Sequence, residues 1–167
     1  KIIEVSTFRC RSEYVLDGAK SNAKEKVLAA NNTFGTPSDD AFRRDLTING
    51  IFYEIENHTI IDYTNGGNEL EEVIIRSIGE PNIRIQRDPA RMMRVIRHAA
   101  RINFAIEPKT WQAIIDHRDK LTLCPISRIR DELMKDLRST ASRDWTELAM
   151  DSGIFYVLFP FYKDVHT

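Results

Sequence analysis

The chain has 167 residues, 42% of them hydrophobic and 29% charged, with a formal net charge of −1. That length supports one good core or two small ones, and the composition is not that of a disordered chain. With charge so nearly balanced, bulk charge neither supports nor excludes nucleic acid as a partner, and any anion site must come from where the basic side chains are placed.

In chain order, residues 1–80 read as β-rich. Ile3, Val5 and Thr7 alternate with Glu4, Ser6 and Phe8, the pattern of a half-buried strand. Residues 11–33 are polar and read as a loop or an incomplete helix. Asp39, Asp40 and Ala41 start a short helix through Arg44. Ile51–Ile55 and Thr59–Tyr63 read as two strands joined at Glu56-Asn57-His58. Asn65-Gly66-Gly67 breaks the chain, at a turn or a hinge, before a short acidic helix at Glu69–Glu72 and a last strand at Ile74-Ile75-Arg76.

From Pro81 the pattern turns helical. Asp88 can cap a helix that has Pro89 at its first position. Met92, Val95, Ile96, Ala99 and Ile102 then share one face, while Arg91, Arg94, His98 and Arg101 fall within an arc of about 80° on another. Glu107-Pro108 opens a second helix. Ser127 caps a third, with Ile129, Leu133, Met134 and Leu137 facing inward, and a fourth runs from Asp144 to Met150 and ends at Gly153. Ile154–Phe161 reads as a packed terminal segment. The fold class expected is α+β, with one domain at 1–80 and an all-helical one at 81–167. Cys10 and Cys124 lack metal-ligand spacing and read as free thiols in a reducing cytosol. No apolar run approaches the ~20 residues of a membrane span and no signal-like segment opens the chain, so the expectation is a cytoplasmic protein without a membrane partner. The first residue is Lys, which reads as a fragment of a longer chain.

Two stretches carry chemistry. Arg43-Arg44-Asp45-Leu46-Thr47-Ile48-Asn49 packs two cations, a carboxylate and an amide around apolar spacers. Arg44 beside Asp45 reads by default as a local ion pair, and Asn49 as a turn residue. Asp88 and Arg91, one helical turn apart, offer an acceptor and forked donors side by side, which suits a base edge, and Arg94 adds a further cation. The arginine stripe has few acids at i±4 to neutralise it. Together the two stretches point to a ligand with phosphates, hydroxyls and a base, a nucleotide.

The residues also carry a resemblance. Arg43 to Asn49 resembles the RRDFTIN motif of class II template-independent nucleotidyltransferases, the family of CCA-adding tRNA enzymes and bacterial poly(A) polymerases. Asp62 to Leu70 is similar to that family's flexible acid–GG–DL segment, departing from it at Asn68-Glu69. Ile78-Gly79-Glu80-Pro81 and Arg87 to Arg101 resemble the stretch written EDPxRMLRAVRFAA, and Ile126 to Leu133 resembles the neck helix that follows it. The resemblance spans roughly residues 5–160. It implies the remainder of a nucleotidyltransferase palm sheet followed by a helical neck. It further implies that Arg44 and Asn49 hold triphosphate and Asp45 the ribose, that Asp88 and Arg91 read the base, and that Arg94 braces the site or contacts phosphate. The partners implied are ATP as substrate and an RNA 3′ end, mRNA or tRNA.

The same resemblance implies two Mg²⁺ ions on an Asp-x-Asp pair, which with a GG-x-x-R-D loop lies before Ile3–Phe8 in the family. The chain contains no Asp-x-Asp, so no catalytic or metal-binding carboxylate is assigned, and this polypeptide alone is expected not to transfer AMP or CMP. Arg87 stands where the family has a Glu that orients the Asp and Arg, and an Arg there could pair with Asp88 instead. Asn32 to Pro37 and Asp62-Tyr63 favour the poly(A) polymerase branch, with the CCA-adding branch and a catalytically silent RNA- or nucleotide-binding module as alternatives.

Overall fold

A computed structural model describes residues 5–10 and 34–165. The strand expected at Ile3–Phe8 does not form over its described part. Val5–Phe8 are exposed, and contact begins only where the Phe8 carbonyl accepts from Gly35 N–H at 3.0 Å and Arg9 bridges Phe34. Alternation alone could not supply a partner strand. The expectation for 11–33 lies outside the described residues.

Helix α1 is Pro37–Arg43. Thr36 caps it reciprocally: its hydroxyl accepts from Asp39 N–H at 3.2 Å, and Asp39 accepts from Thr36 N–H at 2.9 Å. After a 3-10 turn at Thr47–Gly50, strands β1 (Ile51–Glu54) and β2 (Thr59–Asp62) form an antiparallel hairpin with Ile51 opposite Asp62 and Glu54 opposite Thr59. The Gly66-Gly67 pair does not break the chain as expected. It opens helix α2, Gly66–Glu71, after Asn65 turns left-handed at φ 64°. A Cβ on Gly66 would lie 2.4 Å from the Thr47 carbonyl oxygen, so Gly66 packs against the RRD segment instead of forming a free link.

Strand β3 (Ile74–Ile75) leads to α3 (Pro81–Arg87), α4 (Arg91–Ile102) and β4 (Ala105–Ile106). Strands β3 and β4 pair in parallel, with the two helices as their crossover. The all-helical expectation beyond residue 81 therefore fails at β4, whose two residues are too few to show a period. Helix α3 lies in the span read as helical from Pro81 but was not marked off as a helix of its own, and Asp88 ends it as a C-cap. The expected side-chain N-cap at Asp88 is absent: its carbonyl accepts from Arg91 N–H at 3.1 Å. Then come α5 (Pro108–His117), a 3-10 turn at Arg118–Leu123, α6 (Ile126–Leu137), α7 (Ser142–Asp151) and α8 (Ile154–Leu158), with a 3-10 turn at Pro160–Val165. Glu107 caps α5 as expected, accepting from Thr110 N–H at 2.8 Å. Ser127 lies inside α6 and caps nothing, because the N-cap position falls on Pro125.

One hydrophobic core joins both sides of Pro81. Leu46 and Ile75 pack with Met92, Val95 and Ile96 of α4, Ile114 of α5, and Trp145 and Ala149 of α7. Ile102 is 42% exposed at the end of α4, and Met134 and Leu137 are exposed on α6, so three expected core residues are not buried. The inward side of α6 is completed by Asp136, which is fully buried. The mixed α and β class expected from the sequence is the one observed. No helix among the described residues is long and apolar enough to cross a membrane.

Candidate nucleotide-binding site

The RRD segment is held against the chain that follows β3. Thr47 N–H donates to the Arg76 carbonyl at 3.1 Å, and Ile78 N–H donates to the Asp45 carbonyl at 3.0 Å. This places Asp45 under α4. Its carboxylate, only 4% exposed as a side chain, lies 2.6 Å from Arg94 Nη2. Asn49 Nδ2 and Leu46 N–H donate to Asp45 Oδ1 at 3.2 and 3.0 Å. Burial works against ionisation of Asp45, but the Arg94 charge and these hydrogen bonds outweigh it and hold the carboxyl below its usual range.

The local pair expected between Arg44 and Asp45 does not form. Arg44 turns back one helical turn to Asp40, with Nε and Nη2 at 2.9 and 2.8 Å from Oδ2. Its Nη1 donates to the Asn49 carbonyl at 3.0 Å, and its guanidinium sits 5.2 Å from the centre of the Phe52 ring. Arg84 of α3 donates to the carbonyls of both Arg43 and Arg44.

Asp88 and Arg91 pair at 3.7 Å, and Arg128 of α6 approaches Asp88 Oδ2 at 2.8 Å. Arg87 makes no ion pair among the described residues, so the pairing with Asp88 considered from the sequence is absent and Arg128 takes that place. Asp88 Oδ1 is buried with no hydrogen-bond partner among the described residues. Burial lowers the pKa of Arg91, Asp88 and Asp45 oppose the shift, and the charges of Arg94 and Arg128 add to it. Arg44, Asp45, Asn49 and Arg94 thus form one connected network, and Asp88 with Arg91 sits beside it, close enough for Arg91 to feel Asp45. Three guanidiniums, on Arg91, Arg94 and Arg128, face two carboxylates, on Asp88 and Asp45.

Sequence reasoning did not single out Asp40, Arg84 or Arg128 for the site. Asp40 was legible in principle, because it lies three and four residues before Arg43 and Arg44. Arg84 and Arg128 carry no local signal, being about 40 residues from the groups they hold. Asp45, Asn49 and Asp88 already have partners, so a ligand must compete for some of these bonds. Among the described residues no three His, Cys, Asp or Glu side chains gather so as to hold a metal ion, so the Mg²⁺ pair implied by the resemblance is assigned to none of them.

Asp88, at the end of α3, and Arg91, at the start of α4, are tied to the Arg-Arg-Asp segment through the Arg94–Asp45 bridge. The chain belongs to the class II nucleotidyltransferase family. A family model described as "Poly A polymerase head domain" matches residues 1–76, and one described as "Probable RNA and SrmB- binding site of polymerase A" matches 103–165. Poly(A) polymerase I of Salmonella typhi is 35% identical over 166 residues, covering 96% of this chain and 35% of that one. The CCA-adding enzyme of Lactobacillus johnsonii is 33% identical over 151 residues, covering 90% and 36%. The crystal structure of the Bacillus stearothermophilus CCA-adding enzyme in complex with CTP superposes with a TM-score of 0.68 at 33% identity, over 73% of this chain and 31% of that one. The chain spans about a third of the length of the curated relatives it matches.

Proposed function

We propose that this chain is the head-to-neck portion of a bacterial poly(A) polymerase that adds AMP from ATP to RNA 3′ ends, and that its cleft binds the incoming nucleotide. The observation that supports the reading is the Arg94–Asp45 bridge at 2.6 Å, which ties the RRD segment to the helix that begins at Arg91. Asp88 Oδ1, lacking a hydrogen-bond partner among the described residues, is the acceptor for an exocyclic amine, with the Arg91 fork as donor beside it. Adenine and cytosine both carry such an amine, so this pair separates them from bases that lack one. Arg44 and Asn49 serve the triphosphate. Asp45 serves the ribose once Arg94 shifts from its carboxylate toward a phosphate. No described residue supplies metal-assisted activation of the RNA 3′ hydroxyl, and no step is assigned to one.

Identity to poly(A) polymerases of 35–36% over 95–96% of the chain, against 31–33% over 90–93% for the CCA-adding enzymes, favours the first over the second. The test is the intact protein with labelled ATP or CTP on an RNA primer. Extension with ATP alone is expected. Incorporation of CTP as well moves the assignment to CCA addition. ATP binding without extension moves it to a silent nucleotide-binding module.

A further inference from the structure

Asp40 is 2% exposed, and its two oxygens serve two arginines. Oδ1 accepts from Arg43 Nε at 2.7 Å and from Arg9 N–H at 3.2 Å. Oδ2 accepts from Arg44 Nε at 2.9 Å and lies 2.8 Å from Arg44 Nη2. Burial opposes ionisation here, but the bonds from Arg44, Arg43 and Arg9 prevail and keep the carboxyl below its usual range.

The consequence falls on Arg44. A guanidinium has five N–H donors. Asp40 engages two of them and the Asn49 carbonyl a third, while Phe52 lies under the plane. The side chain is fixed, yet it is 39% exposed and two donors have no partner among the described residues. Two cations share one anion, so a surplus positive charge stays on this exposed edge of the network. The exposure and the surplus charge leave this arginine open to an anion. One immobilised in advance binds an anion without losing rotamer freedom at that moment.

We propose that Asp40 is a positioning residue for the nucleotide cleft, fixing the plane of Arg44 so that its two uncommitted N–H groups meet a phosphate of the incoming nucleoside triphosphate. This inference rests on the nucleotide reading given above. The test measures ATP KM and adenosine binding in the intact protein for Asp40→Asn, Arg44→Ala and the double variant. Asp40→Asn preserves shape but removes the charge. It is expected to raise ATP KM about tenfold and leave adenosine binding unchanged, and to add no further loss once Arg44 is Ala. Equal weakening of ATP and adenosine, or losses that multiply in the double variant, overturns the proposal. If Arg44→Ala raises ATP KM and Asp40→Asn does not, the positioning role falls and the nucleotide site stands. If Arg44→Ala changes nothing, the phosphate reading of Arg44 falls too. Should Asp40→Asn fail to fold, Arg44→Lys serves instead. Lys keeps the charge but cannot hold Asp40 and the Asn49 carbonyl together, so ATP affinity should drop as far as in Arg44→Ala. Wild-type affinity in Arg44→Lys overturns the proposal.

Discussion

Asp45 shows how one buried carboxylate ties two distant stretches together. Its charge is tolerated because Arg94 covers it, and Arg94 is itself 38% exposed. Arg94→Ala should therefore cost about 1–2 kcal/mol, solvent screening limiting the loss. Because the Asp45 carboxyl is held below its usual range, its contribution is present above about pH 4 and is lost as pH falls through the lower folded-state value. In Arg94→Ala the acid limb should move to higher pH, which urea midpoints between about pH 3 and 7 would register. His98 titrates nearby. Burial lowers its pKa, the charges of Arg94, Arg97 and Arg101 add to that, and Asp45 opposes them. It is neutral at pH 7, and its contribution is present above about pH 6.5 and lost as pH falls through its lower folded-state pKa. His98→Phe should flatten the stability profile in that window, and an unchanged slope would show that another group sets it.

At the scale of elements, α4 and α6 are joined by charge as well as by packing. Arg97 is 8% exposed. It pairs with the fully buried Asp136 and lies 2.5 Å from Glu132. Asp136→Ala removes one of the two acids on Arg97 and leaves Glu132 in place, so it should destabilise the fold by about 1–3 kcal/mol, whereas the paired change Arg97→Met with Asp136→Leu should come out near neutral. Chemical denaturation of both variants separates the cost of breaking the pair from its net worth. This pairing also marks a limit of sequence reading. The apolar face of α4 was legible because Met92, Val95, Ile96 and Ala99 repeat at the helical period and are all buried. Arg97 lies among other arginines, and nothing local points to an acid 39 residues on. The Asp88–Arg91 pair was legible because it spans one turn, and Asp45–Arg94 was approachable only through motif resemblance. Strand β4 escaped notice because two residues carry too little periodicity to stand out, and the seven of α3 are too few to mark it off from the helix that follows.

For the whole molecule, the seam expected between residues 80 and 81 is crossed by the core and by hydrogen bonds. Glu107 N–H donates to the Ile75 carbonyl at 2.9 Å, Ser77 N–H donates to Thr110 Oγ1 at 3.2 Å, and Arg76 bridges Glu69 and Glu107 at 2.6 and 3.2 Å. Leu46 and Ile75 belong to the same core cluster as the helices beyond Pro81. The two parts should therefore melt in one transition, with the signals of Trp111 and Trp145 coinciding with that of far-UV circular dichroism. Two resolved transitions would restore the picture of independent domains.

Helix α1 has a debt to residues made long after it. Seven residues are too few to hold a helix in water unaided. The carbonyls at its C-terminal end, on Arg43 and Arg44, are satisfied by Arg84, a residue the ribosome adds about forty positions later. A nascent chain that has not yet released α3 therefore has Arg44 and Asp45 in sequence but not in place. The ends of the Arg44–Asp45 network come into register only once Arg84 has docked on the two carbonyls.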